Sequence, residues 1–491
     1  MRAAILRADA ALSAGLRGIR PAPVLVIALA MSGWYGVEML LDAAAPRVVD
    51  TDPVIGLFGD LQQPVVRVEF WCFIAGWVLA AAVWLAYPRL AGERRGPLAV
   101  VVTAGVLLAP YLVLSLYFLF SDVGILVLCL LSTAGAVWTV QRLQRYRRMP
   151  IWLLLAGVAW GALVAGGFGG STNIWYLDYA PRYAKSTIEA GVDAGDLTTS
   201  MRVMHDINVG LAFNAGLFEE LGKGAGILLV FLVLRRYFDG VVSGVVLGAA
   251  IGLGFNLNES VEYTAAAHGG VASFQFFMRQ SVGLLASHAA FTAVVGAGLG
   301  VARQLADRRQ RIAAVAGGLI AGIGGHFACD VIFPWFGRAE SRWFDVTPTL
   351  DTVVLPVLIL IVVQAPIVVM YTLLVRAGGR SQAAGLSAEL LTEADVGFGT
   401  VRAAEVPVLL SPARRFWLRI TLLRRDGWAA YRAMDRLQQA QLELATQLWH
   451  RTRGETAPDA PGDDELRMRI LRLRRDAGIQ RSGARAQAVA A

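Results

Sequence analysis

The chain has 491 residues, of which 56% are hydrophobic and only 17% charged, with a formal net charge of +8. That charged share is well under the roughly 25% of soluble domains, and the apolar residues come in runs of about 20, long enough to cross a bilayer. This composition excludes a soluble globular enzyme. The positive balance does not point to nucleic acid either, because the basic residues sit in short loops between apolar runs, where they set membrane orientation.

The apolar runs predict an all-α, polytopic membrane protein of about ten transmembrane helices. They lie near residues 22–41, 68–87, 97–120, 123–141, 151–170, 207–234, 240–265, 273–302, 312–336 and 351–376. The first run is not a signal peptide: Arg17 and Arg20 precede it, no small-residue cleavage site follows, and it is long enough to stay in the membrane. Arg-rich loops alternate strictly with poor ones. They hold Arg2, Arg7, Arg17 and Arg20 at the N-terminus, then Arg89, Arg94 and Arg95, then Arg142 to Arg148. The later ones hold Arg235 and Arg236, Arg303 to Arg311, and Arg376 with Arg380. Positive loops face the cytoplasm, so both termini are expected there, in a bacterial plasma membrane. The segment from Ser171 to Asp206 reads as the longest external loop, with Trp175, Tyr176, Tyr179 and Tyr183 as an interfacial aromatic belt. Cys72, Cys129 and Cys329 all lie in apolar runs, with no CxxC pair, so neither a disulfide framework nor a thiolate metal site is indicated.

Three regions follow: residues 1–206 with five spans and the external loop, 207–376 with the polar spans and the last span, and 377–491 as an Arg-rich cytoplasmic helical tail. In the tail, Ser411-Pro412 is a helix start, with Ser as N-cap and Pro in the first turn. Residues 454–463 read as a linker, and a short helix follows over Glu465 to Arg475. Phe416, Trp417, Ile420, Leu422 and Leu423 alternate with Arg414, Arg415, Arg419, Arg424 and Arg425. That pattern fits a helix lying on an anionic leaflet or a small hairpin with a solvated basic face.

Polar groups concentrate in four consecutive spans. Lys185 and Lys223 are the only lysines of an Arg-dominated chain, and Asn173, Asn208, Asn214, Asn256 and Asn258 the only asparagines, a bias that suggests a GC-rich bacterial genome. A Lys kept inside an apolar run against that bias carries information. Span six holds Glu219, Glu220 and Lys223, and span seven holds Asn256, Asn258, Glu259 and Glu262. Span eight holds Arg279, Gln280, His288 and Thr292, and span nine His326 and Asp330. A charge at mid-membrane costs about 2.5–3.5 kcal/mol on insertion scales. Glu219 and Lys223 are i,i+4 and share a helix face. The orientation places Glu219, Glu220, His288 and His326 at similar depth, with Glu259 and Asp330 nearer the outer surface. Converged in one pocket, such carboxylates and imidazoles can bind a divalent metal with an open position for water. Equally, a Glu can act as general base while His and amide donors stabilise an oxyanion. A proton or ion pathway and a non-catalytic scaffold are the alternatives. An inverted repeat expected of a transporter is not visible, since spans one to five have no counterparts of the polar motifs.

EExxK (Glu219, Glu220, Lys223), FxxxE (Phe255, Glu259), the isolated His288 and HxxxD (His326, Asp330), each on its own span, resemble the four motifs of the PrsW family of membrane proteases, related to the CAAX-prenyl endopeptidase and bacteriocin-processing group. Lys in place of Arg in the first motif and Glu in place of His in the second point to the PrsW branch. The resemblance implies an intramembrane peptidase that cuts membrane-bound protein substrates of the anti-sigma-factor kind. It implies Glu219 and Glu220 for water activation and Lys223 to hold the acidic pair. It further implies Glu259, His288 and His326 as ligands of a divalent metal, zinc first, or of the transition state, with Asp330 orienting His326. The expected partners are a membrane-protein substrate and the lipid bilayer, with no nucleic acid.

Overall fold

In the computed structural model, residues 21–45, 59–91, 96–343, 354–455 and 460–476, with residues 6, 7 and 9, are described. Arg2, Arg17, Arg20, Arg94 and Arg95, the centre of the predicted linker and the tail beyond 476 lie outside the described residues. The described chain is helical, without strands. The membrane part comprises α1 (Ala22–Ala44), α2 (Gly59–Ala91), α3 (Pro97–Leu119), α4 (Val123–Gln141), α5 (Ile151–Asp193), α6 (Leu197–Val233), α7 (Val241–Ala266), α8 (Gly270–Phe277), α9 (His288–Gln304), α10 (Arg308–Trp343) and α11 (Leu355–Val396). The tail adds α12 (Val406–Leu410), α13 (Pro412–Thr452) and α14 (Asp463–Asp476).

Eight of these are long and apolar enough to cross a membrane, against ten expected from the sequence. Three fall short, α6, α8 and α9, and of these α6 and α9 carry Glu219, Glu220, Lys223 and His288. Polar residues depress the hydropathy of α6, and α9 is only 17 residues long. The expected span over 273–302 is broken instead. A short helix, α8, runs into a π-helical turn at Met278–Val282, and α9 starts afresh at His288. The expected external loop from Ser171 to Asp206 is also corrected. α5 runs through Ile151–Asp193 with a π-helical turn at Trp160–Ala165, and α6 begins at Leu197. Backbone groups satisfied within a helix need no water, which favours continuing the helix past the apolar run. The change of character at residue 377 falls inside α11, which leaves the membrane part without a break.

α7 is the axis of the bundle and is buried along its whole membrane window. Its Gly244, Gly248 and Gly252 recur every four residues and so share one face. A Cβ at these positions would overlap the carbonyl oxygens of Gly296, Thr292 and His288 on α9. Between helices in lipid, close approach of small residues replaces the hydrophobic effect as the main packing force. On α10, Gly318 and Gly322 meet α9, but Gly317 and Gly324 face open space. Gly248→Val is therefore expected to destabilise the fold by about 1–3 kcal/mol or more through overpacking, whereas Gly317→Ala is expected to be near neutral. Thermal melting of the two variants in detergent, compared with wild type, checks this.

The tail packs against the end of the bundle that carries the Arg-rich loops. Arg147 pairs with Asp239 at 2.8 Å and with Glu443 of α13 at 3.3 Å, and Arg311 pairs with Glu455 at 2.9 Å. Burial would raise the Asp239 carboxyl, but the Arg147 charge and the His450 hydrogen bond outweigh it and hold it at about 2. Loops expected on one side of the membrane thus meet the same tail, as the Arg alternation requires. Ser411 caps α13 as expected, its side chain accepting from the Arg414 N–H. The final helix is found at Asp463–Asp476, two residues earlier than its predicted start.

Candidate active site

Four elements bring the polar motifs together. α6 presents Glu219, Glu220 and Lys223, α7 presents Glu259, α9 opens with His288, and α10 presents His326 and Asp330. The Lys223 ammonium is the hub. Its Nζ donates to Glu220 Oε1 at 2.8 Å and Glu219 Oε2 at 3.2 Å, lies 3.1 Å from His288 Nδ1, and sits 3.6 Å from the centroid of the Phe255 ring. His288 Nε2 lies 2.7 Å from Glu259 Oε2. With Nε2–H assigned to Glu259, the Nδ1 lone pair, which faces the lysine, is the ring's remaining donor atom. Arg279, from the π-helical turn, donates to the same Glu259 oxygen at 3.0 Å and covers the Tyr263 ring.

The two glutamates of EExxK have different surroundings. Glu220 is fully buried, between Lys223, the Thr292 hydroxyl at 2.9 Å and His326 Nδ1 at 3.3 Å. Glu219 lines a cavity of about 410 Å³, together with Glu259, His288, His326 and Asp330. Its Oε2 lies 3.6 Å from His326 Nε2. Its Oε1 accepts from Asn173 Nδ2 at 3.0 Å, and the Asn173 carbonyl in turn accepts from Asn214 at 3.0 Å. Asp330 is partly exposed, 3.5 Å from His326 Nε2. The sequence reading assigned no role to Asn173 or Asn214. Their signal was the rarity of asparagine in this chain, and what hid it was the reading of Asn173 as loop.

Other cavity-wall residues come from the halves of α5, α6, α7 and α11 that lie farthest from the Arg-rich loops, such as Asn173, Asn208, Tyr263 and Leu360. Two wall amides, Asn256 and Gln364, are almost wholly buried, and their carbonyl oxygens have no hydrogen-bond partner.

One group of donors fits a metal. Glu219, His288 and His326 each offer an atom, and all three atoms lie within 4.8 Å of one another. His and carboxylate are the donor types of catalytic divalent sites. The charge balance agrees: among the described residues, Glu219, Glu220, Glu259 and Asp330 face Lys223 and Arg279 as permanent cations, and a divalent ion would offset the deficit. Glu259, expected among the ligands, instead lies behind His288, where it orients the ring and is held by Arg279.

Residues 149–370 match the family model for PrsW family intramembrane metalloprotease. This stretch is a PrsW-family protease domain. It spans α5 to the first half of α11 and contains all eight motif residues, while α1 to α4 and the tail lie outside it. No curated protein and no solved structure matches the chain. The PrsW domain makes the protein a membrane-embedded peptidase, and its cavity, inside the helix bundle and lined with carboxylates and imidazoles, is where an intramembrane protease needs its water.

Proposed function

We propose that the protein hydrolyses peptide bonds in membrane-anchored protein segments, with Glu219 taking the proton from the attacking water. The observation that carries this is the asymmetry of the glutamate pair. Glu219 lines the cavity between two imidazoles, whereas Glu220 is sealed behind it by two donors, Lys223 and Thr292, with the His326 ring beside them. Lys223 and Asn173 each hold one oxygen of Glu219, so the carboxylate is oriented before substrate arrives. A divalent metal, zinc by donor type, would be held by His288 and His326 with Glu219 within 4.8 Å of both, and it would polarise a carbonyl and acidify the water that Glu219 deprotonates. Arg279, on the cavity wall, supplies a donor for a developing oxyanion.

A peptide inside a bilayer can be cut only after its helix unwinds, and each freed backbone N–H then needs an acceptor. The unpartnered carbonyls of Asn256 and Gln364 support such a segment at this wall. By the Arg alternation we place the termini in the cytoplasm of a bacterial plasma membrane, so that the cavity serves the outer half of the bilayer. The substrate class that fits is a membrane-anchored regulator of the anti-sigma-factor kind.

The test compares new protein N-termini in membranes from cells with wild-type protein and with Glu219→Ala/Glu220→Ala at matched expression. Specific termini are expected to vanish in the variant and to name the substrate. An unchanged set, with the variant folded and present, refutes proteolysis at this site.

A further inference from the structure

A second cluster of charge lies far from the cavity, where the tail meets the membrane surface. Arg142 follows the last turn of α4, and its guanidinium covers the Trp138 ring at 4.6 Å. Trp138 is 58% exposed on a membrane-spanning helix, so its ring faces lipid and marks the bilayer boundary. Three more arginines gather there. Arg148 comes from the loop after α4, and Arg415 and Arg419 from the first turns of α13. Arg415 is buried, donates to the Arg145 carbonyl, and leaves its Nε without a partner. Arg419 has Asp435, but neither Arg142 nor Arg148 has a carboxylate partner among the described residues. Burial first, and then the repulsion of Arg419, hold the Arg415 guanidinium down at about 10. Arg148 is lowered by burial and then by Arg142 and Arg419.

Four like charges with Asp435 as their one carboxylate partner among the described residues repel one another, and an anion that joins them relieves that repulsion. Beside them α13 carries exposed Phe416 and Trp417, 45% and 60% accessible. Aromatic rings next to arginines at a bilayer boundary match a phospholipid, its phosphate on the guanidinium groups and its acyl chains under the rings. The sequence alone left this helix open between a leaflet-bound element and a solvated hairpin. What favours the leaflet is its contact, through Arg415, with the loop that leaves the membrane after Trp138 and Arg142.

We propose that Arg142, Arg148, Arg415 and Arg419 form a headgroup site for an anionic phospholipid, with Phe416 and Trp417 against its chains, which anchors the tail to the membrane surface. This stands apart from the protease reading and does not depend on it.

The test uses the full-length protein in detergent, delipidated and then given phosphatidylglycerol or phosphatidylcholine, with bound lipid counted by native mass spectrometry. Wild type is expected to retain phosphatidylglycerol over phosphatidylcholine. Arg142→Gln/Arg148→Gln is expected to lose that retention by roughly tenfold or more, each surface arginine contributing about a factor of five. Arg142→Lys/Arg148→Lys is expected to keep most of it, and Phe416→Ala/Trp417→Ala to weaken it. Equal retention of the two lipids, or undiminished phosphatidylglycerol on a glutamine variant that melts like wild type, overturns the proposal. Displacement of the lipid by millimolar inorganic phosphate also overturns it, since the site would then belong to a free anion. If the glutamine variant melts early, the lysine variant decides: loss of lipid from a folded lysine variant refutes a charge-based site.

Discussion

Glu219→Gln is expected to lower the cleavage rate by about 10²–10⁴-fold, the range for removing a positioned general base, with little change in thermal stability. The amide keeps the shape of the carboxylate and can still meet Asn173 and Lys223, but it cannot take a proton from water. Glu220→Gln should behave differently. Glu220 has no face on the cavity and receives Lys223 and Thr292, so its loss should appear first as a lower melting temperature. The measurement is turnover of the substrate segment found by N-terminal analysis, alongside melting of each variant in the same detergent. A Glu219→Gln protein that cleaves at the wild-type rate, or a Glu220→Gln protein that melts normally and is inert, reverses the roles assigned here.

Lys223→Met is expected to destabilise the protein by about 3–5 kcal/mol, the cost of leaving a buried charge without its partner. The ammonium is fully buried, touches both glutamates and His288, and is the only lysine in the bundle core. Without it, Glu219 and Glu220 stand side by side with no permanent cation between them. The second change Glu220→Gln should then recover part of the loss, because it removes one of the two orphaned charges. A double-mutant cycle on unfolding measures that coupling directly. Additive effects of Lys223→Met and Glu220→Gln would mean that the pair does not act as a unit and that the ammonium's role lies elsewhere.

The membrane class, the alternation of Arg-rich loops and the eight motif residues were legible because each rests on local composition or i,i+4 spacing. A bilayer-length apolar run is visible in one dimension, and so is a charge placed where charge is expensive. The breaks were less legible. Nothing in the apolar run over 273–302 signalled that the helix would stop after a π-helical turn and restart at His288, which places that ring at a helix start deep in the bundle. Hydropathy also misread Ser171 to Asp206, because a helix can pass beyond the lipid when its backbone is satisfied internally.

By itself, then, the sequence determined that this is a helical membrane protein with a polar block in four consecutive segments, since insertion cost and helical periodicity act residue by residue. Which groups touch was decided only by the tertiary structure. Close packing of α7 against α9 through Gly244, Gly248 and Gly252 sets His288 within reach of Lys223. The crossing of α10 over α6 pairs His326 with both glutamates, and the extension of α5 delivers Asn173 to Glu219. Helix rotation and crossing fix those distances, and they depend on the contacts of several helices at once, which no single segment encodes.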